Sequence, residues 1–392
     1  MNKIIKMTIA LLLVALTVYG PMMAMASGSA VEPGAVKVGM LGPFTGPAAS
    51  IGQEMLNWAR LAVDQFNGAG GIAGTAVELV EEDTELDAAK AAIAAERLAA
   101  DEAIYGVIGP ASSQAVISTA EIFEENNLVS LSTSATRADL TEQGRKTFFR
   151  IVPRDDVQAP TDAIFIAERL EAQKVYILDD QSIYSVGLAD DTQAKLEELG
   201  LEIIGRESIS QEDTDFSALL TRVKAKAPDV LFLPIQFASQ GAQIAKQMQE
   251  LGLEATIVGS DGQFSTVDFI EGAEGATEGA YVSIFAPDVH YIPEAAEVVA
   301  VYEAEYGEFT SYGPPVYEAM NILLEAMARA YEADGQLTRE GVLREVAATE
   351  DRLGIMGFPV SFDEKGDVLN ASFFIFEVVG DHFELVKTVP PE

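Results

Sequence analysis

Four short stretches of this chain carry residues able to hold a small charged molecule without covalent chemistry. Ser112 and Ser113 follow Gly109-Pro110 within 105–114 (YGVIGPASSQ), and Ser132, Thr133, Ser134 and Thr136 fall within 132–136 (STSAT). Tyr184 lies in 179–187 and Asp261 in 260–262. Serine hydroxyls backed by free N–H groups at a helix N-terminus make an anion cradle that needs no lysine. A carboxylate and a phenol on a facing wall complement a cation. Together they describe a site for a zwitterion. Taken singly, each residue also has a plain structural use: Ser112 and Ser113 as helix caps, Asp261-Gly262 as a turn, Tyr184 as an exposed loop aromatic.

Catalytic chemistry has little to work with. The chain has no cysteine and only two histidines, His290 and His382, both outside these loops and read as surface positions. No HExxH-type metal spacing occurs. The stretch 39–46 (GMLGPFTG) fails the dinucleotide spacing and places Pro43 where a helix would open, and no Walker loop is present. Non-covalent binding without cofactor or metal is the expectation.

Such residues need strands to aim them. Apolar runs predict strands at 35–41, 77–80, 105–108 and 128–131, alternating with helices at 51–67 and 88–100 and one ending at 121–126. The pattern restarts after 147–154. Helices are expected at 161–171, 188–199, 216–226 and 240–251, and strands at 175–178, 202–205, 230–233 and 255–259. Strand and helix in alternation signify an α/β fold with parallel sheets covered on both faces. Long helices at 295–306 and 316–333 exceed what the second unit can hold, and 358–362, 372–379 and 382–389 read as antiparallel strands. Two doubly wound units imply a cleft, with ligands outside the carboxyl ends of the strands.

With 392 residues the chain suits two domains. Lys3 and Lys6 before an apolar run at 7–18, then Ala24-Met25-Ala26, mark residues 1–26 as a secretory signal peptide. The 62 acidic against 25 basic residues, net −37, exclude nucleic acid as a partner.

The stretches 39–52 (GMLGPFTGPAASIG), 62–74 (AVDQFNGAGGIAG), 107–113 (VIGPASS), 132–136, 177–189 (ILDDQSIYSVGLA), 259–262 (GSDG) and 362–367 (FDEKGD) occur in a recognisable order. In this the chain resembles the branched-chain amino-acid family of type I periplasmic solute-binding proteins. The resemblance implies two lobes that close on a ligand about a three-crossover hinge. Residues 27–153 with 284–357 would form lobe 1, and 154–283 with 358–392 lobe 2. It also implies that Ser113 and Thr136 bind an α-carboxylate, that Ser134 offers its backbone carbonyl to the α-ammonium, that Asp261 binds that ammonium, and that Tyr184 closes from the second lobe. Ile51 and Gln236 stand where that family can carry aromatic residues, and Tyr312 offers a further wall. Ser112 is expected to line the site beside Ser113.

The function implied is that of an exported, periplasmic, monomeric receptor. It would deliver an amino acid, aliphatic by resemblance, to the inner-membrane permease of an ABC importer. Two other readings stay open on the residues: a same-fold receptor for an aromatic acid, amide or urea, and an exported α/β enzyme, which the missing catalytic set disfavours.

Overall fold

The computed structural model describes residues 35–386, so the leader expected at 1–26 lies outside the described residues. The first sheet opens with β1 (Val36–Gly42), in which only Lys37 is not buried. There follow α1 (Ala49–Gly68), β2 (Val77–Asp83), α2 (Ala88–Ala100), β3 (Ile104–Ile108), α3 (Ser113–Glu125), β4 (Val129–Ser132) and β5 (Phe148–Arg150). Near-continuous burial along β1, β3 and β4 suits strands covered by helices on both faces. The sheet is parallel throughout, in the order β2-β1-β3-β4-β5.

The chain then crosses to a second lobe. Here α4 (Asp155–Ile164), β6 (Lys174–Asp179), α5 (Ile183–Glu198), β7 (Glu202–Ser208), α6 (Ser217–Lys226), β8 (Val230–Leu233), α7 (Ala238–Leu251), β9 (Thr256–Gly259) and β10 (Tyr281–Ile284) build a second parallel array. Its order, β7-β6-β8-β9-β10, repeats that of the first.

The chain then returns to the first lobe. After α8 (Ala296–Tyr306), α9 (Pro314–Asp334) packs on α1 and over β3 and β4, and α10 (Arg339–Ala347) packs on α9 and β3. A third crossing brings β11 (Phe374–Val379) and β12 (His382–Leu385) antiparallel onto the free edge of β10. The strand expected at 382–389 is thus shorter within the described residues.

Several elements differ from the sequence expectation. The helix expected at 161–171 begins at Asp155 and continues through a π turn, Phe165–Arg169. Proline favours a helix's first turn, so Pro160 suggests a start that the structure places one and a half turns earlier. Tyr184 is not in a loop: Ser182 accepts a hydrogen bond from the Ser185 N–H (3.1 Å) and starts α5 at Ile183. The stretch 358–362 makes only isolated bridges, Val360 with Arg352 and Phe362 with Val368. Three elements were not anticipated: β5, a three-residue edge strand; β10; and α10, whose start is capped by Thr338.

Candidate functional site

In each lobe the strand order reverses beside the first strand, between β1 and β3 and between β6 and β8. Such switch points open a crevice at the strand ends. Between the two lies a cleft. Its wall is drawn from the segments that follow β1 (Pro43), β3 (Ala111, Ser112 and, opening α3, Ser113), β4 (Ser134), β6 (Tyr184, in the first turn of α5), β8 (Gln236) and β9 (Asp261, Gly262). Helix α1 adds Ala48's successors Ile51 and Met55, and Tyr312 precedes α9.

The first-lobe wall is built at the turn from β3 into α3. Gly109 has φ of +101°, and a Cβ there would stand 2.4 Å from the Leu41 carbonyl oxygen; only glycine fits both constraints. Ser112 is the N-cap, its Oγ accepting from the Ala115 N–H (3.4 Å). Its carbonyl accepts from Val116 N–H (2.9 Å). The first four N–H groups of a helix lack intrahelical partners except through such caps, which leaves the amides of Ser113 and Gln114 as this turn's remaining donors.

The loop after β4 is held from beneath. Ser132 Oγ donates to the Pro110 carbonyl (2.7 Å), and Ser134 Oγ donates to that of Ala111 (2.9 Å). Arg150, wholly buried at the end of β5, donates to the carbonyls of Ala135 (3.1 Å) and Arg137 (2.7 Å) and pairs with Asp367 (2.5 Å). Burial alone pushes the Asp367 carboxyl up, but Arg150, Thr141 and Arg154 together hold it below its ordinary range. Thus the 362–367 stretch serves the site at a distance: it supplies the counter-ion for the arginine that shapes the 132–136 loop.

On the second-lobe side stands Asp261. Its Oδ1 accepts from Tyr184 Oη (2.5 Å) and Gln158 Nε2 (2.9 Å), and its Oδ2 from Tyr312 Oη (3.4 Å). All three donors are neutral. Burial pushes the carboxyl up to about 6, against these hydrogen bonds, so Asp261 is mainly ionised at neutral pH with no cation beside it. Gly262 is a close fit: a Cβ there would stand 2.2 Å from the Ile235 carbonyl oxygen.

Behind Asp261 lie two further acids on one face of α4. Asp155 is raised to about 8 and Asp162 well above its ordinary value, first by burial and then by neighbouring carboxylates. Both carboxyl groups lack hydrogen-bond partners. Thr136 belongs to this deeper layer rather than to the cleft wall. Its carbonyl accepts the Asp155 N–H (2.8 Å), while its fully buried hydroxyl lies near the Asp155 carboxyl without completing a hydrogen bond.

The lobes touch across the cleft. Arg137 donates to the Ile183 carbonyl (2.7 Å), Gln114 to Gln236 (2.8 Å), and Ser50 on α1 bonds Asp268. Of the residues singled out from sequence, Ile51, Ser112, Ser113, Ser134, Tyr184, Gln236, Asp261 and Tyr312 line the cleft and Thr136 does not. His290 and His382 are exposed and do not line it.

A sequence model of the family described as "Periplasmic binding protein" matches residues 35–382. This chain belongs to the periplasmic binding protein family. A Leu/Ile/Val-binding protein of Rhizobium johnstonii is 29% identical over 342 residues, covering 87% of this chain and 91% of that protein. Among solved structures, a leucine-binding protein of Thermotoga maritima superposes with a TM-score of 0.82 at 28% identity, covering 91% of this chain and 99% of that one. The branched-chain amino-acid transporter substrate-binding protein of Streptococcus pneumoniae, in complex with isoleucine, gives 0.83 at 26%, covering 91% and 100%.

Sequence reading of this periplasmic binding protein missed Asp155, Gln158, Asp162 and Gln114. The first three recur at helical spacing on one stripe of α4, and a polar stripe on a buried face was the available signal. Its start was obscured by Pro160. Gln114 adjoins Ser113, but its partner lies 122 positions away, a distance no local pattern spans.

Proposed function

We propose that this chain is the exported receptor of an ABC importer and that its interlobe cleft holds an α-amino acid with an aliphatic side chain. The ligand's carboxylate would meet the hydroxyl and amide N–H of Ser113, supported by Thr136, and its ammonium would meet Asp261 and the Ser134 carbonyl. Tyr184 would close from the second lobe and Tyr312 from the first, with Ile51 against the side chain. The observation that carries this reading is Asp261, a buried carboxylate with three neutral donors and no cation, opposite a helix N-terminus with two donors to spare. A buried charge without a partner is costly, and an ammonium relieves it. Charged hydrogen bonds contribute about 1.5–3 kcal/mol each, so a few support micromolar binding, roughly −8 kcal/mol.

Closure would hinge on crossings near 150–155, 282–286 and 356–360. Lobe 1 then comprises 27–153 and 284–357, and lobe 2 comprises 154–283 and 358–392. The family identity and the leader-like residues 1–26 favour cleavage of that leader, residence in the periplasm and docking of the loaded monomer on an inner-membrane permease. Because ligand contacts from both lobes form only when shut, binding shifts an existing equilibrium.

Thermal-shift and calorimetric titrations test the reading with leucine, isoleucine and valine, their α-hydroxy-acid analogues, benzoate and urea. Stabilisation by the amino acids and its loss in the hydroxy acids is the expected result. Stabilisation by benzoate or urea and none by the amino acids would overturn it.

A further inference from the structure

The side-chain end of the cleft is not purely apolar. Gln236, which lines it beyond β8, belongs to a chain of amides anchored on the carboxylate of Asp180. Asp180 accepts the Gln236 backbone N–H (2.7 Å) and Gln211 Nε2 (3.2 Å). A carboxylate only accepts, so Gln211 must present its NH2 to it. That same NH2 donates to Gln236 Oε1 (3.2 Å), and from the other lobe Gln114 Nε2 donates to the same oxygen (2.8 Å). The sense of the Gln236 amide is therefore set, because turning it over would bring its NH2 against the Gln211 donor.

Two groups are left over. Gln236 Nε2 and Gln114 Oε1 are both buried without a hydrogen-bond partner, and Gln236 is itself only 9% exposed. One is a donor and the other an acceptor, on amides that meet across the lobes, and of the two residues Gln236 lines the cleft. The cleft wall contains no lysine, arginine or histidine, and Asp180 stands behind Gln236, so an acidic side chain has no counter-charge there. The apolar part of the cleft wall is Pro43, Ala48, Ile51, Met55, Leu86 and Ala111.

Resting on the amino-acid reading above, we infer that Gln236 adds a polar subsite to the aliphatic pocket, so that the cleft also accepts a ligand side chain carrying a neutral hydrogen-bonding group, a hydroxyl or a primary amide. A group of that kind both gives and takes a hydrogen bond. It takes a hydrogen bond from Gln236 Nε2, whereas a methyl of the same size leaves that donor unpaired.

Isosteric pairs test this: threonine against valine, and asparagine against leucine, titrated calorimetrically into wild type and Gln236→Leu. Wild type should bind the polar member of at least one pair as tightly as its apolar isostere or tighter. Gln236→Leu should shift that ratio by about tenfold or more toward the apolar member, as expected for a site built to hydrogen-bond its ligand. A purely structural role for Gln236 would move both members of a pair together. Wild type that prefers valine and leucine, with ratios unchanged in the variant, overturns the subsite while leaving the amino-acid reading standing. Wild type that binds none of the four overturns the amino-acid reading itself.

Discussion

In the first lobe the strand-end loops present serine hydroxyls and helix N–H groups, with no acid among the cleft-lining residues. In the second, the topologically equivalent strand-end segments present Asp261, Tyr184 and Gln236, with Asp180 behind. The two sheets share one strand order and one kind of crevice, yet the crevices carry opposite polarity. Topology decides where a ligand can sit, and loop chemistry decides which end of the ligand each lobe receives. The same contrast recurs within the second lobe. Asp261, at the cleft, is pushed up only to about 6, whereas Asp155, a layer deeper, reaches about 8. At neutral pH the cleft acid is charged and the hinge-side acid is mainly protonated.

The largest expected effect lies in the first lobe's support. Arg150→Ala leaves Asp367 buried without its main partner and should cost about 3–5 kcal/mol of stability, read as a lower urea midpoint. An unchanged midpoint would mean that the donor wall stands without it. Next is the second lobe's acid. Asp261→Ala should weaken amino-acid binding at least tenfold, about 1.4 kcal/mol, with the fold retained by circular dichroism. Wild-type affinity should also fall as pH drops below about 6, since a proton then competes with the ammonium; a flat profile between pH 5 and 7 would remove Asp261 from that role.

Asp155 sharpens the contrast between the two acids. Its folded-state pKa of about 8 lies above the ordinary 3.8, so between those values the folded protein holds a proton that the unfolded chain has lost. Its contribution to stability therefore falls as pH rises through that window. Asp155→Asn removes the dependence, and its Tm should gain on wild type between pH 5 and pH 8.5. Parallel melting curves at both values would refute the assignment. The smallest effect separates neighbours in the first lobe: Ser112→Ala should cost about 1 kcal/mol of stability as a lost cap, whereas Ser113→Ala should act chiefly on ligand affinity.

Most of the sheet elements were legible because buried parallel strands are short apolar runs between turn residues, as in 230–233 and 105–108. β5 escaped because three residues carry no period, and the start of α4 was hidden by Pro160. The strand expected at 358–362 shows the converse, an apolar run whose backbone finds only isolated partners. In the site, Ser113 and Asp261 were legible because each sits at a recognisable strand end. Gln158 was not, since a glutamine within a helix gains meaning only from what it faces.

By itself, then, the sequence determined the alternation of strand and helix, the hydroxyl and acid loops at the strand ends, and the strong negative charge, because these are local or summed properties. Tertiary structure decided which residues share an environment. It placed Thr136 beneath the wall, set Asp155 and Asp162 behind Asp261, joined Gln114 to Gln236 across the lobes, and gave the buried Arg150 its counter-ion from 217 positions away. Burial and through-space charge set protonation and unmet hydrogen-bonding capacity, and neither follows from spacing along a chain.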